Sequence, residues 1–135
     1  MTHTYPSTAY AAPLARLLLS AIFIIAGVSK IFAYSGTAAY MTSQGGPGAL
    51  LPLVILVEVF GGLALLLGWQ ARWAALGLAG FSVLSGLLFH YLPSLGLDGF
   101  AAQAEMNSFM KNVAIAGGML MVVAMGPGRF SLGRA

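Results

Sequence analysis

Four apolar runs, each about as long as a bilayer is thick, constrain this chain more than any other feature. They cover residues 13–34, 50–69, 73–92 and 107–125. A hydrocarbon core of about 30 Å needs about 20 helical residues to cross it. None of the runs alternates polar with apolar residues, which argues against the strands of a membrane barrel. Charged residues make up 7% of the chain, against roughly a quarter in a soluble domain, so an ordinary water-soluble enzyme is excluded. The 135 residues leave room for one unit. The expected fold is all-α: an integral membrane four-helix bundle, with residues 13–126 as a single transmembrane domain between tails at 1–12 and 127–135.

The links between runs carry the signals that end helices. Residues 35–49 contain Gly45-Gly46-Pro47-Gly48, which breaks one helix and starts the next, and residues 37–44 suit a short interfacial helix. Residues 70–72 allow a tight turn and no more, so the second and third runs form an antiparallel hairpin. The link at 93–106 is the longest polar one and holds Asp98 and Glu105. Pro13 suits a first helical turn, where its missing N–H goes unneeded. The first run reads as a retained span and not a cleaved leader, because Lys30 interrupts it before any cleavage site. Gly61-Gly62 and Gly117-Gly118 each precede an apolar stretch, an echo that glycine-rich packing explains as well as an internal repeat.

With four spans, one face of the membrane receives Arg16, Arg72, Arg129 and Arg134, and the other Lys30, Lys111, Asp98 and Glu105. The positive-inside rule then places both termini in the cytoplasm. The cations stand singly along the chain, so no basic patch exists and nucleic acid is not an expected partner; the lipid bilayer is.

Within the spans lie side chains that apolar surroundings penalise by about 2.5–3.5 kcal/mol each at a helix centre. Glu58 is roughly 12 Å along its helix at 1.5 Å per residue, too deep to reach water by bending. Lys30 and Lys111 sit about one turn inside the ends of the first and fourth helices, and His90 near the end of the third. In the orientation above, all four helices bring a polar group to the outer half of the membrane. Small residues share their faces: Ser20 and Gly27 with Lys30, Gly61 and Gly62 with Glu58, Ser82 and Gly86 with His90, and Asn107, Ala114 and Gly118 with Lys111. Small faces let membrane helices approach, so these stripes are expected to point inward.

The expected site is therefore a polar pocket in which Glu58 is a proton acceptor paired with Lys30 and Lys111, and His90 and Asn112 complete the lining. Such a pocket suits a neutral or anionic head group on an apolar body; a quinone fits, and so does the small organic substrate of a transporter or exporter. In a third reading the chain is a non-catalytic membrane anchor and Glu58 locks the bundle. The absence of cysteine removes thiolate metal sites, iron–sulfur clusters and dithiol relays. One intramembrane histidine cannot ligate a haem from both sides, and one His with one Glu beside two lysines is a poor metal site, so no metal and no cofactor held by the chain itself is expected. The glycines at 45–48 lack the Lys-Ser/Thr ending of a phosphate-binding loop.

The order and spacing of several segments resemble the DoxX family of small four-helix bacterial membrane proteins. They are Arg16-Leu17-Leu18-Leu19, Gly27 with Lys30, Gly36-Thr37-Ala38-Ala39-Tyr40-Met41, Glu58 through Gly61-Gly62 to Gly68, Arg72, Leu88-Phe89-His90, and Phe109-Met110-Lys111-Asn112 leading to Gly117-Gly118. Tyr91-Leu92-Pro93 departs from the family, whose members often carry a Phe-Trp pair there. The resemblance implies a multi-pass protein of the bacterial inner membrane. It also implies a quinone-linked oxidoreductase subunit, because the family takes its name from a subunit associated with thiosulfate:quinone oxidoreduction. Since the chain carries no redox centre of its own, a membrane or periplasmic redox partner would supply electrons. Four short helices enclose little volume, so a homo-oligomer is expected.

Overall fold

The computed structural model describes residues 9–133. Helix α1 runs from Ala11–Phe32, with Pro13 inside its first turn. It breaks at Ala33 and turns into the short helix α2, Tyr34–Ser43, which starts three residues before the expected interfacial helix and ends one before it. Gly45, at φ 83°, and Pro47 end α2. The chain then doubles back so closely that a Cβ on Gly48 would lie 2.6 Å from the Ala38 carbonyl oxygen. A 3-10 turn over Gly48–Leu50 feeds α3, Leu51–Leu67. Gly68 closes α3 in the left-handed conformation, φ 71°, and Gln70 adopts the same region at φ 48°, which gives the tight hairpin into α4.

Helix α4 spans Ala71–Ser94, but it is not α-helical throughout: residues Leu87–Tyr91 form a π-helical turn. Pro93 supplies the reason, since it has no N–H for the Phe89 carbonyl and its ring crowds that oxygen, so the turn widens. Helix α5 covers Gly99–Met125 and ends at Gly126, φ 81°. The expectation of a polar link at 93–106 is corrected here. Ala101, Ala102, Gln103, Ala104 and Glu105 are good helix formers, so α5 begins two turns earlier than hydropathy suggests and the link shrinks to a few residues.

Among the described residues four helices are long and apolar enough to cross a membrane, and between 17% and 28% of the most apolar stretch of each is buried inside the molecule. The remaining apolar surface, including Leu18, Ile25, Phe60 and Trp73, therefore faces lipid or another protein. Packing is uneven. Helix α1 lies along α3 and α4 along α5, with α3 and α4 joining the two pairs, while α1 and α5 scarcely meet. The apolar core, which includes Leu65, Ala75, Leu78 and Met119, fills the half of the bundle nearest the termini.

At that end Arg16 is buried, at 2% exposure, and donates to the carbonyl oxygens of Leu66 (3.2 Å), Arg129 (2.9 Å) and Phe130 (2.7 Å). Leu132 and Gly133 donate backbone hydrogen bonds to Leu67 and Gly68. Residues 129–133 are thus a strap tied across the α3–α4 hairpin, not the free tail that the sequence suggests, and Arg16 is a clamp where an interfacial orienting charge was expected. Of the N-terminal tail, residues 1–8 and His3 with them lie outside the described residues, as does Arg134, and Ala11 and Ala12 belong to α1.

Candidate functional site

Opposite the packed half the helices enclose a cavity of about 320 Å³, bounded by α1, α2, α3, α4 and α5. Its walls are largely aromatic and aliphatic, with Phe23, Phe81, Phe89 and Tyr40 among them, and into them project Lys30, Glu58, His90, Asn112, Ser82 and Ser85. A cavity of this size with a few convergent polar groups is the usual form of a small-molecule site.

Glu58 lies at the middle of the span Gly48–Leu67 and is 3% exposed. Lys30 Nζ donates to both its oxygens, at 2.9 Å to Oε1 and 3.1 Å to Oε2. The close approach of α1 and α3 makes this contact. A Cβ on Gly27 would lie 2.6 Å from Val59 Cγ2 and 3.1 Å from Glu58 Cβ, so Gly27 stands directly across from Glu58. In this antiparallel pair Lys30 is about 4.5 Å nearer the cavity mouth than Glu58. Helical side chains tilt toward the N-terminus of their own helix: for Lys30 that direction is inward, and for Glu58 it is outward, so the two lean toward each other. Lys30 therefore extends into the bundle to meet the acid when it could have bent out to water.

The other expected residues divide. Asn112 projects into the cavity and its Nδ2 donates to the Ser82 carbonyl (3.0 Å) and Ser85 Oγ (3.4 Å), tying α5 to α4 where Gly86 lets Asn112 Cβ approach. His90, on the π-helical turn, lines the cavity. Lys111 does not join them. It is exposed and is absent from the cavity wall, so of the two amines expected beside Glu58 only Lys30 is there. Lys111 shares a helix side with Ile115 and Gly118, four and seven residues on, the side turned toward α1, and it is left open because α1 stands away from α5. The expected inward stripe of α5 is corrected in the same way. Asn107, Lys111 and Ala114 are exposed, and the inward face runs through Glu105, Phe109, Asn112, Ala116 and Met119.

Glu105 is the residue that sequence reasoning left out. Its Oε2 lies 2.7 Å from His90 Nδ1, and both side chains are about one-third exposed. The signal was available once α5 is extended to Gly99, for Glu105, Phe109 and Asn112 then repeat at four and three residues on one face. Among the described residues no three His, Asp or Glu side chains come together as a metal site would require.

The DoxX family model matches residues 11–91, which covers α1 through the π-helical turn and includes Lys30, Glu58 and His90. Inner membrane protein YqjF of Escherichia coli (strain K12) is 46% identical over 120 residues, 89% of this chain and 87% of that protein. Inner membrane protein YphA of the same organism is 34% identical over 123 residues, 90% of this chain and 86% of that one. No solved structure matches the chain. With four spans, a family match over more than half its length and inner-membrane relatives along nearly all of it, this multi-pass inner-membrane protein belongs to the DoxX family.

Proposed function

We propose that the chain is the quinone-binding membrane subunit of an oxidoreductase, with Glu58 as the proton-accepting group of its cavity. The observation that carries this reading is the placement of the buried Glu58, paired with the half-buried Lys30, in the wall of a largely aromatic and aliphatic chamber. A quinone is a flat ring with two carbonyl oxygens on an apolar body, and the chamber offers matching surfaces: rings from Phe23, Phe81 and Phe89, and polar groups from Lys30, Ser85 and Asn112. Ile22 lines the cavity yet is half exposed, and it stands where α1 and α5 scarcely meet, which suits a ligand whose tail remains in lipid.

When bound, a quinone supplies two-electron chemistry that takes up or releases two protons. The chain's own residues orient the head group and exclude water, and the Glu58 carboxylate, with Lys30 Nζ at 2.9 Å, accepts a proton from the aqueous side and passes it on to the head group as electrons arrive. Electrons come from a partner protein, and we include self-association in the proposal because most of each span has no partner within the chain. The packed end bears Arg72 and Arg129, so the positive-inside rule assigns it, with both termini, to the cytoplasm and the cavity to the outer half of the membrane.

Purified protein in lipid nanodiscs is expected to retain membrane quinone and to bind decylubiquinone saturably. Ser85→Phe, which fills the chamber from α4, should lose both. Glu58→Gln should keep the quinone but abolish quinone-dependent turnover in a complex reconstituted with the electron-donating partner. Equal quinone content in the wild type and Ser85→Phe would refute the reading. A transporter would instead move substrate across liposomes containing the chain alone.

A further inference from the structure

Two hydrogen-bonded acid–base pairs stand at this cavity, and the function proposed above uses one of them. The second, His90–Glu105, joins α4 to α5 at the mouth. Three features hold it in place. Pro93 forces the π-helical turn on which His90 stands, Tyr91 packs its ring against Phe109 with centroids 5.2 Å apart, and Glu105 lies one turn before Phe109 on α5. Turns of this π type recur at functional sites in helices.

The chemistry of the contact fixes more than position. A carboxylate without a proton can only accept hydrogen bonds, and with such a partner the 2.7 Å contact between His90 Nδ1 and Glu105 Oε2 is made by an N–H on Nδ1. In the neutral ring Nε2 then carries a lone pair. Deeper in the chamber Lys30 Nζ gives two of its N–H groups to the oxygens of Glu58, and Asn112 Nδ2 donates to the Ser82 carbonyl and Ser85 Oγ. What His90 adds at the mouth is an acceptor.

We propose that Glu105 is a positioning residue that holds His90 as a hydrogen-bond acceptor, and that the cavity thereby selects a ligand bearing a hydroxyl, the quinol form in preference to the quinone. This rests on the quinone reading above. In the oxidised ring both oxygens accept only, and facing Nε2 they would set acceptor against acceptor; the reduced ring brings an O–H to the same place. A ligand that leaves a buried polar group unpaired loses more than the bond itself.

The chain has two histidines, so the full-length protein carrying His3→Ala and labelled with 15N-histidine reports on His90 alone. The expected spectrum at pH 7.5 is that of a neutral ring protonated on Nδ1. Glu105→Ala should turn it to the Nε2–H form and Glu105→Gln, whose amide oxygen still accepts, should restore Nδ1–H. In nanodiscs under reducing conditions decylubiquinol should bind at least tenfold more tightly than decylubiquinone does under oxidising ones, and His90→Phe should bring the two to parity. An Nε2–H ring or an imidazolium in the His3→Ala protein overturns the proposal. So does equal affinity for the two forms when His90 is intact, a result that leaves the quinone reading standing. Failure of both forms to bind overturns the two together.

Discussion

A carboxylate at the middle of a membrane span exists there only if something compensates its charge, and Lys30 does so through both oxygens. Breaking such a pair from one side is worse than removing it, because the survivor is a buried, uncompensated charge. Lys30→Met is therefore expected to destabilise the folded protein by about 3–5 kcal/mol, whereas Lys30→Met combined with Glu58→Leu should be near wild type or more stable. Reversible unfolding in mixed micelles checks both. A mild single variant would mean that water reaches Glu58 by another route. The acid itself was legible in the sequence, since one charge in a long apolar run cannot be overlooked. Its partner was not, because Lys30 and Lys111 sit equally far from their helix ends and hydropathy is blind to which helices pair. Glu105 was missed for a related reason: placed in a polar link, it had no helix face to share with Asn112.

Helix pairing depends on small residues at a few contacts. Gly27 is where α1 crosses α3, and a methyl there would press on Val59 at 2.6 Å. Gly27→Ala should cost about 1–3 kcal/mol through overpacking and weaken the Lys30–Glu58 contact that the approach creates. Gly77→Ala on the open face of α4, with nothing within 4 Å of its added methyl, is the matched control and should be neutral or slightly stabilising. Thermal melts of the two variants in the same lipid make the comparison, and equal effects would mean that Gly27 is not a packing position. The sequence told most about the elements through length and apolar content, and the spans lie where those runs are. It told least about rotation. An α5 apolar nearly all round has no single periodic stripe, so the small residues Ala114 and Gly118 suggested an inward face about 100° or more from the real one. The π-helical turn was visible only as Pro93, and the strap over the hairpin was hidden because Arg16 looked like an ordinary flanking cation.

The molecule as a whole has a dense end and a hollow end, and the direction in which it sits decides which side of the membrane the cavity serves. Burial of Arg16 removes it from the tally of free flanking charges, yet the dense end keeps Arg72 and Arg129, while the hollow end has Lys111 with Asp98 and Glu105 and spends Lys30 on Glu58. The bias that orients membrane proteins is set by lysines and arginines and hardly by acids, so after these deductions the dense end still carries the excess. The chain has no cysteine, and single reporters can be introduced without background: Gln44→Cys at the α2–α3 link beside the cavity, and Leu132→Cys on the strap. A membrane-impermeant maleimide added to intact spheroplasts should label the first, and should reach the second only after the membrane is opened. The reverse pattern would put the cavity on the cytoplasmic side, and the protons taken up when a bound quinone is reduced would then be drawn from the cytoplasm through the His90–Glu105 mouth.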